Sequence, residues 1–337
     1  MDLTNLWQHW PMPGPWQIRP LAGGTNNLIQ LVEMPDAGRA VLRIYQNHAD
    51  LKRLRYEHAV LARVQAAGLP FQVPAPIPTR SGETFVRLPG EDGEVLAVLS
   101  RFLPGAPPDR EHLEQARAAG QALAILERAL GTGEPPTGPD LAGPPPIGDL
   151  RRRLWLSVDP FEMLQRLPVD AETRPRLFRL FQQTLEAMPY LYATLPQQLI
   201  HADYDPGNML MEGNRVTGVL DFEFSGVDLR VMDLANALMW WPRDLLGTGR
   251  EWGVIEAFGR GFVEEFPLLP VEMEAIPAVM RLRSIASLLH RAARYQQGLS
   301  SEEAVLARVS YLFWREDWLH ANRDELLRQA FRWQTAG

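Results

Sequence analysis

The segment from Leu199 to Phe224 constrains this chain more than any other. An apolar pair, Leu199-Ile200, runs into His201-Ala202-Asp203, and Asn208 follows five residues after Asp203. Apolar runs at Met209-Leu210-Met211 and from Val216 to Leu220 flank Gly213-Asn214, and a Gly-Asn pair in that position signals a hairpin. The second run ends on Asp221. Such a hairpin brings Asp203 and Asn208 face to face with Asp221. One carboxylate can then take a proton from an attacking hydroxyl, while an amide oxygen and a second carboxylate hold magnesium on nucleotide phosphates. A lone His-x-Asp is usually structural, and a carboxylate at a strand end is usually a cap. The ordered set of His, Asp, Asn and a strand-end Asp is what points to phosphoryl transfer.

The bulk of the chain agrees with a soluble enzyme. Its 337 residues suffice for two domains or one large two-lobed domain, and 46% hydrophobic with 22% charged residues is ordinary for a globular protein. The absence of cysteine excludes disulfides, thiolate metal sites and cysteine nucleophiles, and fits a reducing compartment. The opening MDLTNLWQHWPMPGPW has neither a basic nor an apolar signal region, and no apolar run is long enough to span a bilayer. A cytoplasmic protein without a membrane partner is expected. The net charge of −7, with no basic block beyond Arg151-Arg152-Arg153, argues against a nucleic-acid surface, which needs a positive footprint. Lys52 is the only lysine.

The N-terminal part reads as a small nucleotide-binding lobe. After an irregular Trp- and Pro-rich leader, Trp7 to Pro20, comes Gly23-Gly24-Thr25-Asn26 and then the alternating Leu28 to Val32. A glycine pair joined to a strand lets backbone amides approach phosphate oxygens, although it is more often a simple turn. A second strand is expected over Ala40 to Tyr45 with Arg43 in its middle, then a helix from Ala49 to Ala67 with Glu57 inside it. The proline-dense Pro70 to Pro78 leads to strands at Thr84 to Leu88 and Glu94 to Leu99, and Ser100 to Gly105 breaks the pattern. The lobe boundary is placed there, dividing 1–103 from 104–337.

From Asp109, a candidate N-cap, the chain turns helical. Helices are expected from Asp109 to Leu130, Leu150 to Leu167 and Ala171 to Leu195, with a Gly/Pro loop from Gly131 to Pro146. Beyond the hairpin come Met232 to Trp240, Glu251 to Phe266 and Met273 to Gln297. The capping box Ser300-Ser301-Glu302-Glu303 opens a last amphipathic helix.

In this order of features the chain resembles the aminoglycoside phosphotransferase and choline kinase superfamily, including its homoserine kinase-like branch. The sharpest match is His201-Ala202-Asp203-Tyr204-Asp205-Pro206-Gly207-Asn208 with Asp221-Phe222-Glu223 behind it. The resemblance implies an α+β, protein-kinase-like two-lobed fold, with a small antiparallel β lobe bearing one helix and a larger, mainly helical lobe. It implies ATP and Mg2+ as cofactors, Asp203 as catalytic base, and Asn208 and Asp221 as metal ligands. His201 would orient the catalytic loop, and Asp233 of Asp233-Leu234-Ala235 would steady the core. Gly23, Gly24, Thr25 and Asn26 would form the phosphate loop, and Leu99, Ser100, Arg101 and Phe102 the hinge that bonds adenine through its backbone.

Two positions depart from the family pattern. Ala202 stands where glycine is frequent, a mild change if its φ is negative. Arg43 stands at the strand position where kinases place lysine, and Lys52 lies too far along to replace it. A guanidinium can still bridge Glu57 and a phosphate, as a fork rather than a point charge.

The acceptor is expected to be a small hydroxylated amine or amino acid of homoserine type, with an aminoglycoside as the alternative. Asp205, Glu223, Asp228, Trp240 and Trp241 are the candidate acceptor contacts, the two tryptophans being more readily read as core residues of a helix end than as a cation-binding box. A non-catalytic nucleotide-binding module of the same fold is the rival of another class. Acceptor identity, nucleotide base and oligomeric state stay open at this level.

Overall fold

The computed structural model describes residues 3, 5–21, 27–34, 38–45, 50–90, 93–153 and 158–335. The N-terminal part forms one antiparallel sheet in the order β1-β2-β3-β5-β4. Its strands are β1 (Gln17–Pro20), β2 (Asn27–Met34), β3 (Gly38–Tyr45), β4 (Val86–Pro89) and β5 (Glu94–Arg101), with α1 (Leu51–Ala66) between β3 and β4. Register decides which side chains face the cleft. Arg43 lies opposite Val98 and Tyr45 opposite Leu96, so these four share one face, whereas Ala40, Leu42 and Ile44 bury on the other. Leu96 and Val98 pack with Leu54 of α1, which puts Arg43 on the face that α1 covers. Mid-strand Arg43 is therefore turned towards the cleft.

The leader has more structure than its composition suggests. It supplies a 3-10 turn at Leu6–His9 and the edge strand β1. Trp10, fully buried, closes the second face of the sheet against Leu42 and Ile44 and donates its indole N–H to the Ile77 carbonyl at 2.9 Å. The Asp50 side chain caps α1 by accepting from the Lys52 and Arg53 amides. Beyond Leu54, α1 buries Val60, Leu61 and Val64 in the core of the helical part. One helix thus ties the sheet to the helices.

The helical part contains α2 (Leu113–Leu130), α3 (Leu150–Arg153), α4 (Pro160–Gln165), α5 (Thr173–Thr194), α6 (Met232–Trp240), α7 (Glu251–Glu265), α8 (Pro270–Gln296) and α9 (Glu302–Thr335). α2 begins later than its sequence suggests: His112 is the N-cap, and Asp109 accepts the Glu111 amide in the turn before it. The single helix expected over Leu150 to Leu167 is two, because Asp159-Pro160 starts a new one, with Pro160 in the first turn and Asp159 capping it. α2 and α7 cross closely at two glycines. A Cβ on Gly120 would meet the Phe258 carbonyl oxygen at 2.1 Å, and one on Gly261 the Arg117 carbonyl oxygen at 2.1 Å.

Two small antiparallel pairs sit between the helices. β6 (Gln197–Ile200) pairs with β9 (Gly226–Leu229), a pairing the sequence did not suggest. β7 (Met209–Glu212) and β8 (Arg215–Val219) form the expected hairpin, turning at Gly213-Asn214 with Gly213 at φ 59°. Both connections from the sheet lock onto this hairpin: Gln72 donates to Thr217 and accepts from Val219, and Ala106 exchanges two backbone bonds with Met211. Among the described residues, no helix is long and apolar enough to cross a membrane.

Candidate active site

The β6–β9 and β7–β8 pairs set two loops side by side, His201 to Asn208 and Leu220 to Ser225. His201 joins them. It is fully buried, accepts the Asp203 amide on Nδ1 at 3.2 Å, and so carries its proton on Nε2, which donates to the Leu220 carbonyl at 2.9 Å. Its ring packs edge-on against Phe222, centroids 4.6 Å apart. His201 does not line the cavity; of the pair named catalytic from the sequence, only Asp203 does. Asp233, in the first turn of α6, holds the loop from below by accepting the His201 amide at 2.8 Å and the Ala202 amide at 3.1 Å. Glu127 of α2 is buried beside it, and burial, then the charge of Asp233, holds the Glu127 carboxyl well above the usual range.

The loop conformation has a cost. Ala202 sits at φ 66°, so the condition for a mild exchange with glycine is not met: the backbone here is left-handed and strained for alanine. Asp221 is also left-handed, at φ 65°, a region aspartate tolerates better. Among the described residues these are the only non-glycine positions with positive φ.

Asp203, Asp205, Asp221 and Glu223 line one cavity of about 390 Å³ between the sheet and the helical part, together with Arg43 and Trp240. The two oxygens of Asp203 face different neighbours. Oδ2 accepts the Asn208 side-chain amide at 3.0 Å, and Oδ1 accepts the Arg283 guanidinium at 2.7 Å. Burial pushes the Asp203 carboxyl up to about 6; Arg283 pulls it down, and Asp205 and Asp221 push it up. It is ionised at neutral pH yet basic enough to take a proton.

Across the cavity, Arg43 lies 3.6 Å from Glu57 and 3.4 Å from Asp221. Burial pushes Glu57 up to about 7 despite Arg43, and Tyr45 donates its hydroxyl to Glu57 at 3.2 Å. Arg43 itself is held well above its ordinary value: burial opposes this, but Tyr45, Asp221, Glu57 and Glu223 outweigh it. Lys52 is exposed on α1, remote from this role.

The residues present fit a magnesium ion. Asn208 commits its Nδ2 to Asp203, at 3.0 Å from both the backbone and the side-chain oxygen, which leaves its amide oxygen as a hard donor. Asp221 is the matching carboxylate. Among the described residues no group of three His, Cys, Asp or Glu is placed to hold a metal; a magnesium ion held by Asn208 and Asp221 would keep water and phosphate oxygens as its other ligands.

Other expected positions are redistributed. Gly23, Gly24, Thr25 and Asn26 lie outside the described residues. In the hinge segment, the Leu99 carbonyl accepts from Ile77 at 2.7 Å, which uses one of its two lone pairs, and the Phe102 amide is engaged by the Arg39 carbonyl at 3.3 Å; Ser100 and Arg101 continue β5. Asp228 leaves the acceptor set. It is buried on β9 and accepts from Tyr192, Ile147 and its neighbour Leu229, pinning a loop to α5. Trp241 leaves it too, being 1% exposed and packed on Phe258. Trp240 faces the cavity, but Arg243 and Arg308 lie over its ring at 5.6 and 5.2 Å, so it offers no open face to a substrate cation. Not foreseen at all was a stripe of α8 (Arg283, Ala286, Ser287, His290 and Arg291) that lines the cavity; its spacing of three and four is visible in the sequence, but not what it faces.

The sequence profile of the phosphotransferase enzyme family (APH) matches residues 17–266. The chain belongs to the phosphotransferase enzyme family. It is 28% identical over 294 residues to a homoserine kinase of Caulobacter vibrioides (strain NA1000 / CB15N), covering 87% of this chain and 86% of that relative. In fold this phosphotransferase is similar to the amicoumacin kinase hAmiN, solved with AMP-PNP, Ca2+ and amicoumacin (TM-score 0.70, 16% identity, 94% of this chain and 92% of the other). A microcompartment-associated aminopropanol kinase is also similar (TM-score 0.65, 21% identity, 98% and 100%). These likenesses bear out the α+β, protein-kinase-like fold.

Proposed function

We propose that this phosphotransferase is a magnesium-dependent kinase that moves the γ-phosphoryl group of ATP to a hydroxyl of a small amine-bearing acceptor, an amino acid of homoserine type or an amino alcohol. The observation that carries this reading is Asp203: a half-buried carboxylate with a pKa near 6, opening on a cavity it shares with Asp221, and bonded to Asn208. The hydroxyl oxygen attacks the γ-phosphorus, the bond from that phosphorus to the ADP oxygen breaks, and the hydroxyl proton passes to Asp203. The transition state is loose, so the protein's part is to position groups and offset charge. Asn208 and Asp221 would hold magnesium, which would supply neutralisation of phosphate charge. Arg43, kept in place by Glu57, meets the α- and β-phosphates. We assign 1–103 to the nucleotide and 104–337 to catalysis and the acceptor.

The test is magnesium-dependent ATP consumption with mass detection of the product, against homoserine, choline, ethanolamine, other amino alcohols and several aminoglycosides. One acceptor gains a single phosphate, and Asp203→Asn binds MgATP as the parent does while losing turnover. Wild-type turnover in Asp203→Asn overturns the assignment. Failure to bind MgATP overturns the kinase reading and its non-catalytic rival together.

A further inference from the structure

The cavity's charge opposes the protein's. The chain has a net charge of −7, yet seven arginines and only four carboxylates line this cavity. The arginines are not evenly spread. Arg43 alone belongs to the sheet; Arg153 ends α3, and Arg110, Arg243, Arg283, Arg291 and Arg308 come from the approach to α2, the turn after α6, α8 and α9. One of them, Arg283, meets Asp203 at Oδ1, the oxygen that the Asn208 side chain does not use.

Their partners are few. Arg283 is paired with Asp203, while Arg110 and Arg243 share the exposed Asp244 at 3.7 and 3.9 Å. Arg291 reaches a hydroxyl, that of Ser300, at 3.5 Å. Among the described residues neither Arg291 nor Arg308 is within ion-pair distance of a carboxylate, and Nη1 of Arg308, buried, has no hydrogen-bond partner. A buried guanidinium N–H without an acceptor is costly, because the Trp240 face beside Arg308 returns only part of what is lost in leaving water. The field is strong enough that burial, and then Arg294, Arg283, Arg291 and Arg308, push His290 down to about 4, so histidine adds no positive charge here.

We infer that Arg308 and Arg291 form an anion subsite for the acceptor: the molecule phosphorylated carries an acid group, a carboxylate or a phosphate, as well as its hydroxyl, and the acid rather than the amine is its principal handle. The inference rests on the kinase reading for the word acceptor; the anion site itself does not. Guanidiniums match both oxyanions in a planar, forked geometry. An amino alcohol leaves Arg308 unpaired, and a polycationic aminoglycoside is repelled.

The experiment compares acceptors matched except for the acid: homoserine against 3-aminopropanol, 4-hydroxybutanoate against 1,4-butanediol, and glycerol 3-phosphate against glycerol. Each is assayed for turnover with MgATP, and for binding, by saturation-transfer NMR, to protein holding AMP-PNP and Mg2+. The parent, Arg308→Met and Arg291→Gln are used, each checked for an unchanged thermal transition and unchanged AMP-PNP affinity. In the parent, the acid-bearing member of at least one pair is favoured by about 10- to 100-fold, the size expected when a charged partner is lost. Both variants collapse that preference by acting on the acid member only. The carboxylate and phosphate pairs tell the two sources apart.

Equal use of acid and neutral members, or a preference that survives Arg308→Met in a folded protein, overturns the anion site and leaves the kinase reading standing. Acid binding that depends on Arg308 without turnover of any acceptor upholds the anion site and counts against the kinase reading. No binding by any acid overturns the proposal.

Discussion

Nη2 of Arg283 stands 2.7 Å from Oδ1 of Asp203, although 80 residues separate them in the chain. The proposed base is thus held by a cation on α8, far along the chain from its loop. The guanidinium favours the ionised carboxyl, so removing it raises a pKa already near 6. In Arg283→Met the acid limb of the kcat/KM profile moves to higher pH, and activity at pH 7 falls by about 10-fold or more. Arg283→Lys restores part of both. A pH-rate profile checks this; a lower plateau with an unmoved limb shows that Arg283 does not tune the base.

For the parent, kcat/KM rises with pH and reaches half its plateau near 6, where Asp203 loses its proton. Stability runs the opposite way. Asp203, near 6, and Glu57, near 7, both lie above the ordinary value of about 4 for carboxyls in an unfolded chain. Between those limits the folded state binds more protons than the unfolded one, so stability falls as pH rises from about 4 to about 7. Denaturant midpoints at pH 5 and 7.5 measure the slope, and Glu57→Gln flattens it.

Ala202→Gly behaves unlike an ordinary alanine-to-glycine change. At φ 66° alanine is strained by roughly 1–2 kcal/mol, which offsets the roughly 0.5–1 kcal/mol that glycine loses through its freer unfolded chain. The variant is expected to be as stable as the parent or slightly more so in urea. A loss above about 1 kcal/mol refutes the strain argument.

Arg43 contacts both Glu57 and Asp221, which a single ammonium cannot copy as a fork. Arg43→Met weakens MgATP binding by about 10-fold or more, and Arg43→Lys falls between it and the parent. Calorimetric titration with AMP-PNP and Mg2+ decides the order.

Gly120→Ala tests the α2–α7 crossing. In an exposed helix alanine would gain up to about 1 kcal/mol over glycine, but here its Cβ would sit 2.1 Å from the Phe258 carbonyl oxygen. The helices must separate, at a net cost of about 1–3 kcal/mol, read from the thermal transition.

Much of the fold is written in local residues. The hairpin is implied by Gly213-Asn214 between apolar runs, and the sheet and long helices by their periods. Features that depend on neighbours far along the chain were not legible. Trp240 and Trp241 look alike as letters, yet successive helix positions point about 100° apart, so one meets the cavity and the other the core. Asp228 read as a free carboxylate because nothing local announces Tyr192 and Ile147. The arginines of α8 and α9 drew no reading from the sequence, because nothing local shows that they line a cavity with Asp203. The early boundary at Asp109 failed because several polar residues there can cap, and it is the His112 ring that accepts the Gln115 amide.

Arginine at position 43 also sets how this protein responds to covalent chemistry. An acylating nucleotide analogue marks an amine held against the phosphates; a guanidinium stays protonated and is not acylated under the same conditions. Amine-directed reagents will find a single side-chain target, Lys52 on the exposed flank of α1, and leave the nucleotide cleft unmarked. Screens that enumerate kinases by labelling a cleft lysine pass over this one.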